Sequence, residues 1–145
     1  MFLGQYRHTI DSKGRLIVPA RYRDDLVSGA YVTRGFDRNL MVLRDTSFDL
    51  VSERLNSFSL TDDHARKLKR FIFSNADWVE LDKTGRIRIP QFLMEFAGLQ
   101  TDVVIVGVGD YFEVWAPSQW EVQTDALEND DSNAEMFSAF DVSTG

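Results

Sequence analysis

Short runs of apolar residues, separated by turn-forming residues, are concentrated in two stretches of the chain. In the first stretch, segments rich in apolar and β-branched residues, which favour strands, lie at residues 6–10, 15–18, 31–33 and 40–43. The second stretch repeats this pattern over residues 78–81, 86–89, 103–106 and 112–115. The pattern therefore predicts two groups of four short strands, with helices between the groups and after them.

Each group also contains a predicted short helix that follows a proline. Proline lacks a backbone donor but is well suited to the first position of a helix, so a strand should end and a helix begin at Pro19 and Pro90. Residues 19–26 and 90–97 are the predicted helices. Each group is then a β-β-α-β-β unit, and the fold class is α+β.

Two further helices are predicted between the groups. The first shows apolar residues at helical spacings of three or four, and Ser47 is its candidate N-cap. These apolar residues are Phe48, Val51, Leu55 and Phe58. The second helix opens at residues 61–63, where Asp62 and Asp63 favour the positive end of the helix dipole. The segment between the groups is therefore predicted to be helical.

The two groups are copies of one sequence unit. Residues 11–19 read DSKGRLIVP and residues 82–90 read DKTGRIRIP, so aspartate, glycine, arginine and proline fall at the same offsets. An apolar residue, Ile10 or Leu81, precedes each aspartate. The match extends into the later strands of each group. A whole folding unit is therefore predicted to be duplicated.

This duplication sets the predicted domain organisation. Residues 5–47 and 76–120 form the two units, and residues 48–75 form a helical linker. Residues 121–145 contain seven acidic and no basic residues, which equals the whole net charge of −7. Their composition favours a mobile tail. Because the rest of the chain is neutral, the acidic total does not exclude a nucleic-acid partner.

Each copy places basic residues at or beside the tip of a predicted hairpin. Aspartate and glycine suit the turn, since aspartate bonds nearby backbone and glycine accepts positive φ. Lys13 and Arg15 lie at the first turn, and Lys83 and Arg86 lie at the second. Arginine can bond guanine O6 and N7 together or grip a phosphate, and lysine supplies a phosphate charge. An exposed turn of this kind is more often simply solvated, so DNA binding is one of two interpretations.

Other polar residues of the repeat are interpreted as structural. Asp11 and Asp82 are predicted to form the turns and not to act as catalytic carboxylates. Arg88, whose counterpart in the first copy is Ile17, is predicted to lie on a solvated strand face.

The sequence offers little for catalysis. Cysteine is absent, His8 and His64 are the only histidines, and no metal-spaced cluster or phosphate-binding loop occurs. Gly107 and Gly109 belong to a strand turn because no helix opens after them. We therefore predict no enzyme activity, no cofactor and no metal site. The lack of cysteine and of a long apolar run favours a cytoplasmic protein that is not exported and has no membrane partner.

The sequence resembles the MraZ family of bacterial transcription regulators, within the wider SpoVT-AbrB class of swapped-hairpin proteins. The resemblance covers roughly residues 1–120. It rests on YRHTIDSKGRL at residues 6–16, RFIFS at 70–74, LDKTGRI at 81–87, VGVGD at 106–110 and EVW at 113–115. The acidic tail has no counterpart in the resemblance.

The resemblance implies a swapped-hairpin, double-split β-barrel in which each unit is half of a pseudo-dimer. It implies a nucleoid-associated regulator that binds G-rich direct repeats in double-stranded DNA, at the promoter of the division and cell-wall gene cluster, which includes its own gene. It also implies a homo-oligomeric ring of about eight or more subunits. Carried over by position, the DNA-contacting residues are Lys13, Arg15, Lys83 and Arg86, with Arg7 a further candidate. The alternative is an antitoxin-like or structural homo-oligomer that uses the hairpins for protein contacts.

Overall fold

The computed structural model describes residues 1–140, and of residues 130–133 it describes only the backbone. Its strands are β1 Gln5–Thr9, β2 Arg15–Ile17, β3 Ala30–Arg34, β4 Leu40–Arg44, β5 Asp77–Val79, β6 Arg86–Arg88, β7 Asp102–Gly107 and β8 Tyr111–Trp115. Its α-helices are α1 Asp45–Asn56, α2 Asp63–Asn75, α3 Gln91–Ala97, α4 Pro117–Leu127 and α5 Asp130–Ser138. The predicted α+β class is confirmed.

The two sequence copies share one antiparallel sheet. Its strand order is β1-β7-β8-β4-β3-β5, and β2 and β6 pair separately as a two-stranded ribbon. Strand β1 of the first copy pairs with β7 of the second, and β5 of the second copy pairs with β3 of the first. Each copy therefore contributes its first strand to the half of the sheet built by the other copy.

One apolar core joins both copies. Phe2 is fully buried and packs against Tyr22 and Phe112, with ring centroids 5.0 and 5.2 Å away. Leu16 of β2 and Ile87 of β6 are buried in the same core. Because small chains bury only part of their apolar surface, a core shared by both copies is more stable than two separate ones would be.

The segment after Pro19 differs from the prediction. Helix α3 forms after Pro90, but two short 3₁₀ helices, Ala20–Tyr22 and Asp24–Leu26, replace the α-helix predicted over residues 19–26. The Tyr22 hydroxyl donates to the carbonyl of Leu3 at 2.6 Å, and both Tyr22 and Leu26 are buried. The prediction was wrong because the hydrogen bond of Tyr22 and the burial of both side chains favour the more tightly wound 3₁₀ conformation over the α-helix that local sequence favours.

The helices between the copies begin at different kinds of cap. Helix α1 begins at Asp45, directly after β4, so the predicted cap at Ser47 is wrong; its N-cap residue is Arg44, whose side chain makes no capping hydrogen bond. No loop remains between strand and helix for Ser47 to cap. Helix α2 begins as predicted, since Asp62 accepts from the N–H groups of His64 and Ala65.

The acidic C-terminal region is helical where its composition favours disorder. The indole N–H of Trp120 in α4 donates to Gln5 Oε1 at 3.3 Å, which ties α4 to β1. In α5, Met136 and Phe137 are 44% and 66% exposed. The predicted mobility of the tail stays a prediction, and residues 141–145 lie outside the described residues. Between residues 1 and 140, no helix has the length and apolar character needed to cross a bilayer.

Candidate nucleic-acid interface

The first turn, residues 11–15, is organised by one aspartate. Asp11 Oδ1 accepts from the backbone N–H groups of Lys13 and Arg15, both at 2.9 Å. Gly14 donates to the carbonyl of Asp11 at 3.0 Å and has a φ of +79°, which glycine adopts without steric cost. Asp11 is thus a turn former, as predicted.

The second turn, residues 82–86, repeats this arrangement. Asp82 Oδ1 accepts from the N–H and hydroxyl of Thr84 and from the N–H of Arg86, each at 2.9 Å. Gly85 has a φ of +78°. The shared sequence pattern therefore encodes the same turn twice.

Each aspartate also holds the arginine of its turn. Arg15 Nε donates to Asp11 Oδ2 at 2.6 Å, and Arg86 Nε donates to Asp82 Oδ2 at 2.9 Å. Asp11 Oδ2 also lies 3.8 Å from Arg86 Nη1, which links the two turns. The side chains of Arg15 and Arg86 remain 37% and 30% exposed. The carboxylates therefore fix each guanidinium at its Nε and leave its outer edge for a further acceptor.

The two turns are locked together through the ribbon. The N–H of Ile89 donates to the carbonyl of Gly14 at 2.7 Å, and the N–H of Val18 donates to the carbonyl of Gly85 at 3.0 Å. The first bond joins the first turn to the residue after β6, and the second bond joins the second turn to the residue after β2. The tips are thus presented on one rigid support.

The ribbon has an apolar inner face and a cationic outer face. Its register places Arg15 opposite Arg88, Leu16 opposite Ile87, and Ile17 opposite Arg86. Side chains alternate along a strand, and the central pair is buried in the core. The other four side chains consequently share the outer face, and three of them are arginines.

The structure brings most of the predicted site residues together. Lys13 and Lys83 are exposed at the two tips, and Arg15 and Arg86 lie at the adjoining strand ends. Arg7 is exposed in β1, which belongs to the six-stranded sheet and not to the ribbon.

Arg88 is a ribbon residue that was not among the site candidates predicted from the sequence. It is exposed, in agreement with the solvated strand face that was predicted. Its spacing of two residues from Arg86 within one strand was the signal that both point outward.

The turn networks change the acidity of both aspartates. The N–H of Arg86, followed by the groups of Thr84 and the guanidinium, holds the pKa of Asp82 at about 2 against an opposing effect of desolvation. The N–H of Arg15 likewise lowers the pKa of Asp11 below its usual value of 3.8. Both carboxylates are therefore ionised at neutral pH, beside arginines that are positively charged.

The stabilisation provided by Asp82 is expected to disappear in acid. The unfolded chain takes up this proton near the usual value of 3.8, whereas the folded chain does so at about 2. The carboxylate therefore stabilises the fold fully above about pH 4, and this contribution is lost as the pH falls through about 2. Urea unfolding of the wild type and Asp82→Asn, at about pH 5 and about pH 2.5, measures the difference. The stability gap between the two proteins should narrow at the lower pH, and an unchanged gap would contradict this assignment.

The two histidines lie far apart in sequence, in a strand and in a helix. His8 is half-buried, with Nδ1 2.7 Å from the carbonyl oxygen of Ile17, and His64 is exposed in the first turn of α2. Among the described residues, no cluster of three histidines or carboxylates is arranged to hold a metal ion.

Comparisons with known proteins identify the family. The model of the family described as "MraZ protein, putative antitoxin-like" matches residues 1–71 and again residues 72–141. A protein of Ligilactobacillus salivarius, named transcriptional regulator MraZ, is 45% identical over 98% of this chain and 100% of its own length. Proteins of the same name are 44% identical over 94% of both chains in a Roseiflexus species, and 50% identical over 83% of both chains in Dictyoglomus turgidum. With two family matches that together cover nearly its whole length, the chain belongs to the MraZ family.

Proposed function

We propose that this protein is a sequence-specific transcription regulator that grips double-stranded DNA with the β2–β6 ribbon. The observation that carries the proposal is the outer face of this ribbon, where three arginines project from two paired strands. A two-stranded β-ribbon fits the major groove of B-DNA, which is about 12 Å wide. The relatives' names, transcriptional regulator MraZ, support the same function. They also support the absence of enzyme activity, because a regulator needs no catalytic centre.

The site residues divide into two roles. Lys13 and Lys83, exposed at the tips, are suited to phosphate oxygens, which position a protein on the duplex. Arg15 and Arg86 are held by aspartates, so little side-chain freedom is lost when they bond guanine or phosphate. Arg7, which lies outside the ribbon, is a further candidate for a phosphate contact.

The swapped-hairpin, double-split β-barrel is the proposed description of the fold. The pairing of β1 with β7 and of β5 with β3 supports it, since each copy exchanges a strand with the other. We propose residues 5–47 and 76–120 as the two SpoVT-AbrB units, residues 48–75 as the linker and residues 121–145 as a mobile tail.

High affinity for DNA should come from several ribbons of one oligomer that bind at the same time. One ribbon makes few phosphate contacts, and such contacts alone give a Kd near 10⁻⁴–10⁻⁶ M at physiological salt. Adjacent subunits of one particle could add about 10²–10⁴ through effective concentration. We therefore propose a homo-oligomeric ring of about eight or more subunits. Its targets are direct repeats in the promoter of the division and cell-wall gene cluster, including its own gene, and it acts in the cytoplasm at the nucleoid.

We call one copy of the direct repeat a box. The protein is expected to bind operators with several boxes far more tightly than operators with one box. The gain should approach about 10²–10⁴, because each further box is reached by a subunit that is already tethered. Gel shifts at one fixed salt concentration measure this with duplexes of equal length that carry one box, several boxes or none. Equal affinity for one box and for several would count against the ring, and equal affinity for all three duplexes would count against sequence-specific binding.

The rival function is an antitoxin-like or structural homo-oligomer in which the hairpins contact protein. The description of the matched family, which includes the word antitoxin-like, favours keeping this alternative. Titration with promoter DNA separates the two functions, because a protein-binding hairpin would show no preference for the promoter over an unrelated duplex.

A further inference from the structure

The ribbon is close to two-fold symmetric, and one departure from symmetry lies on its outer face. Arg15 and Arg86 occupy equivalent positions in the repeat, as do Ile17 and Arg88. In the ribbon, Arg15 faces Arg88 and Arg86 faces Ile17. One end of the outer face therefore carries two opposed arginines, whereas the other end carries one arginine opposite an isoleucine that is 38% exposed.

Arg88 differs from the other two ribbon arginines, each of which is held by an aspartate. Within the part of the chain that the structure describes, its side chain makes no hydrogen bond or ion pair. Glu80 lines a surface cavity of about 260 Å³ together with Arg88, but Glu80 Oε1 accepts from the indole N–H of Trp78 at 3.1 Å. All the donors of the Arg88 guanidinium are therefore available to an outside acceptor.

The placement of Arg88 opposite Arg15 also raises the free energy of the protein when no DNA is bound. Directly opposed residues of an antiparallel pair have Cβ atoms about 4.5–5.5 Å apart, and like charges there repel. Asp11 offsets part of the charge of Arg15 through its 2.6 Å bond, whereas no carboxylate among the described residues pairs with Arg88. An anion or a guanine edge placed between the two guanidinium groups would remove this repulsion.

We propose that Arg88 is a further DNA-contacting residue, and that the Arg15–Arg88 pair makes the ribbon bind its box in one orientation. The inference rests on the proposed DNA binding by the ribbon. A symmetric ribbon would accept a box equally well in either direction. In the reversed orientation, however, Ile17 meets the bases or phosphates that Arg88 contacts. One arginine contact of this kind discriminates by about 5- to 150-fold, which is enough to fix the direction of each chain on a direct repeat.

Tethered cleavage of DNA tests the direction of binding. The chain has no cysteine, so Thr9→Cys gives the full-length protein a single thiol in β1, just before the first turn and outside the ribbon. An iron–EDTA group on this thiol should cut the duplex on one side of each box. Two variants then make the outer face symmetric in opposite ways, namely Arg88→Ile, which copies Ile17, and Ile17→Arg, which copies Arg88.

The two variants are expected to share one effect and to differ in another. Both should cut on both sides of each box, because the ends of the ribbon have become equivalent. Arg88→Ile should also bind about 5- to 150-fold more weakly per box, whereas Ile17→Arg should bind at least as tightly as the parent. Circular dichroism of both variants confirms folding, which substitutions on an exposed face should preserve.

The outcomes separate this inference from the proposed function. The labelled parent is the Thr9→Cys protein that carries iron–EDTA. If it binds the boxes but both variants still cut on one side, the inference is overturned. The direction of binding is then determined by another feature, for example the one-residue offset between Lys13 and Lys83. Unchanged affinity of Arg88→Ile would overturn the assigned contact. If the labelled parent does not prefer the boxes to an unrelated duplex, the proposed function itself fails, and the inference fails with it.

Discussion

Arg15→Ala is expected to abolish specific DNA binding while leaving the assembly of subunits intact. The guanidinium lies on the outer face of the ribbon and contributes nothing to the buried core, so folding should survive. Each ribbon loses an arginine contact worth about 1–3 kcal/mol. The loss also leaves the Asp11 carboxylate without the 2.6 Å bond from Arg15 Nε, so an under-compensated negative charge then faces the DNA. Because each subunit on a repeated operator loses the contact, the effects accumulate.

Fluorescence anisotropy with a multi-box duplex at fixed salt measures this loss, and light scattering of the same sample measures the mass of the particle. Arg54→Ala is the matched control, since it removes one exposed positive charge from α1, away from the ribbon. Normal binding by Arg15→Ala would refute the assignment of Arg15. A loss of equal size in Arg54→Ala would show that net charge, and not the ribbon, determines affinity.

Gly14→Ala is expected to destabilise the protein by about 2–5 kcal/mol. A side chain at a φ of +79° is strained, and an added Cβ would lie 2.5 Å from the carbonyl oxygen of Ile89. That oxygen belongs to the backbone, which cannot rotate away as a side chain could. The substitution should also stretch the 2.7 Å bond from the Ile89 N–H to the Gly14 carbonyl, and so loosen the contact between the first turn and the segment after β6.

Gly109→Ala separates strain from crowding. Gly109 has a similar φ of +85°, but an added Cβ would meet no atom within 4 Å. Its cost should therefore be that of the backbone conformation alone, about 1–2 kcal/mol. Chemical denaturation of both variants gives the two free energies of unfolding. Equal losses of unfolding free energy in the two variants would show that the close approach of Gly14 to Ile89 does not affect stability.

The repeat made the local structure of the site predictable. Aspartate and glycine at fixed offsets determine the turn through hydrogen bonds within five residues, so both turns could be inferred from sequence. The alternation of Arg15, Leu16 and Ile17 likewise indicates which side chains face outward. These features depend on neighbours in the chain, which is the information that a sequence pattern contains.

Strand partners could not be predicted in the same way. Alternation shows which face of β1 is buried, but it does not show that β1 lies beside β7 instead of a strand of its own copy. The role proposed for Arg88 could not be predicted for the same reason, because its position opposite Arg15 follows from the pairing of β2 with β6. The predictions that failed locally, at residues 19–26 and at Ser47, failed where a tertiary contact or a direct strand-to-helix connection replaced the usual local signal.

The exchange of strands between the copies also has a consequence for synthesis on the ribosome. Strand β1 is made early, but its partner β7 ends at Gly107, about 100 residues later. At about 5–20 residues per second, the nascent chain waits roughly 5–20 s before its first strand can pair. During that interval the backbone N–H and C=O groups at the edge of β1 lack their partner strand, and we expect chaperones that bind exposed strands to bind the emerging chain.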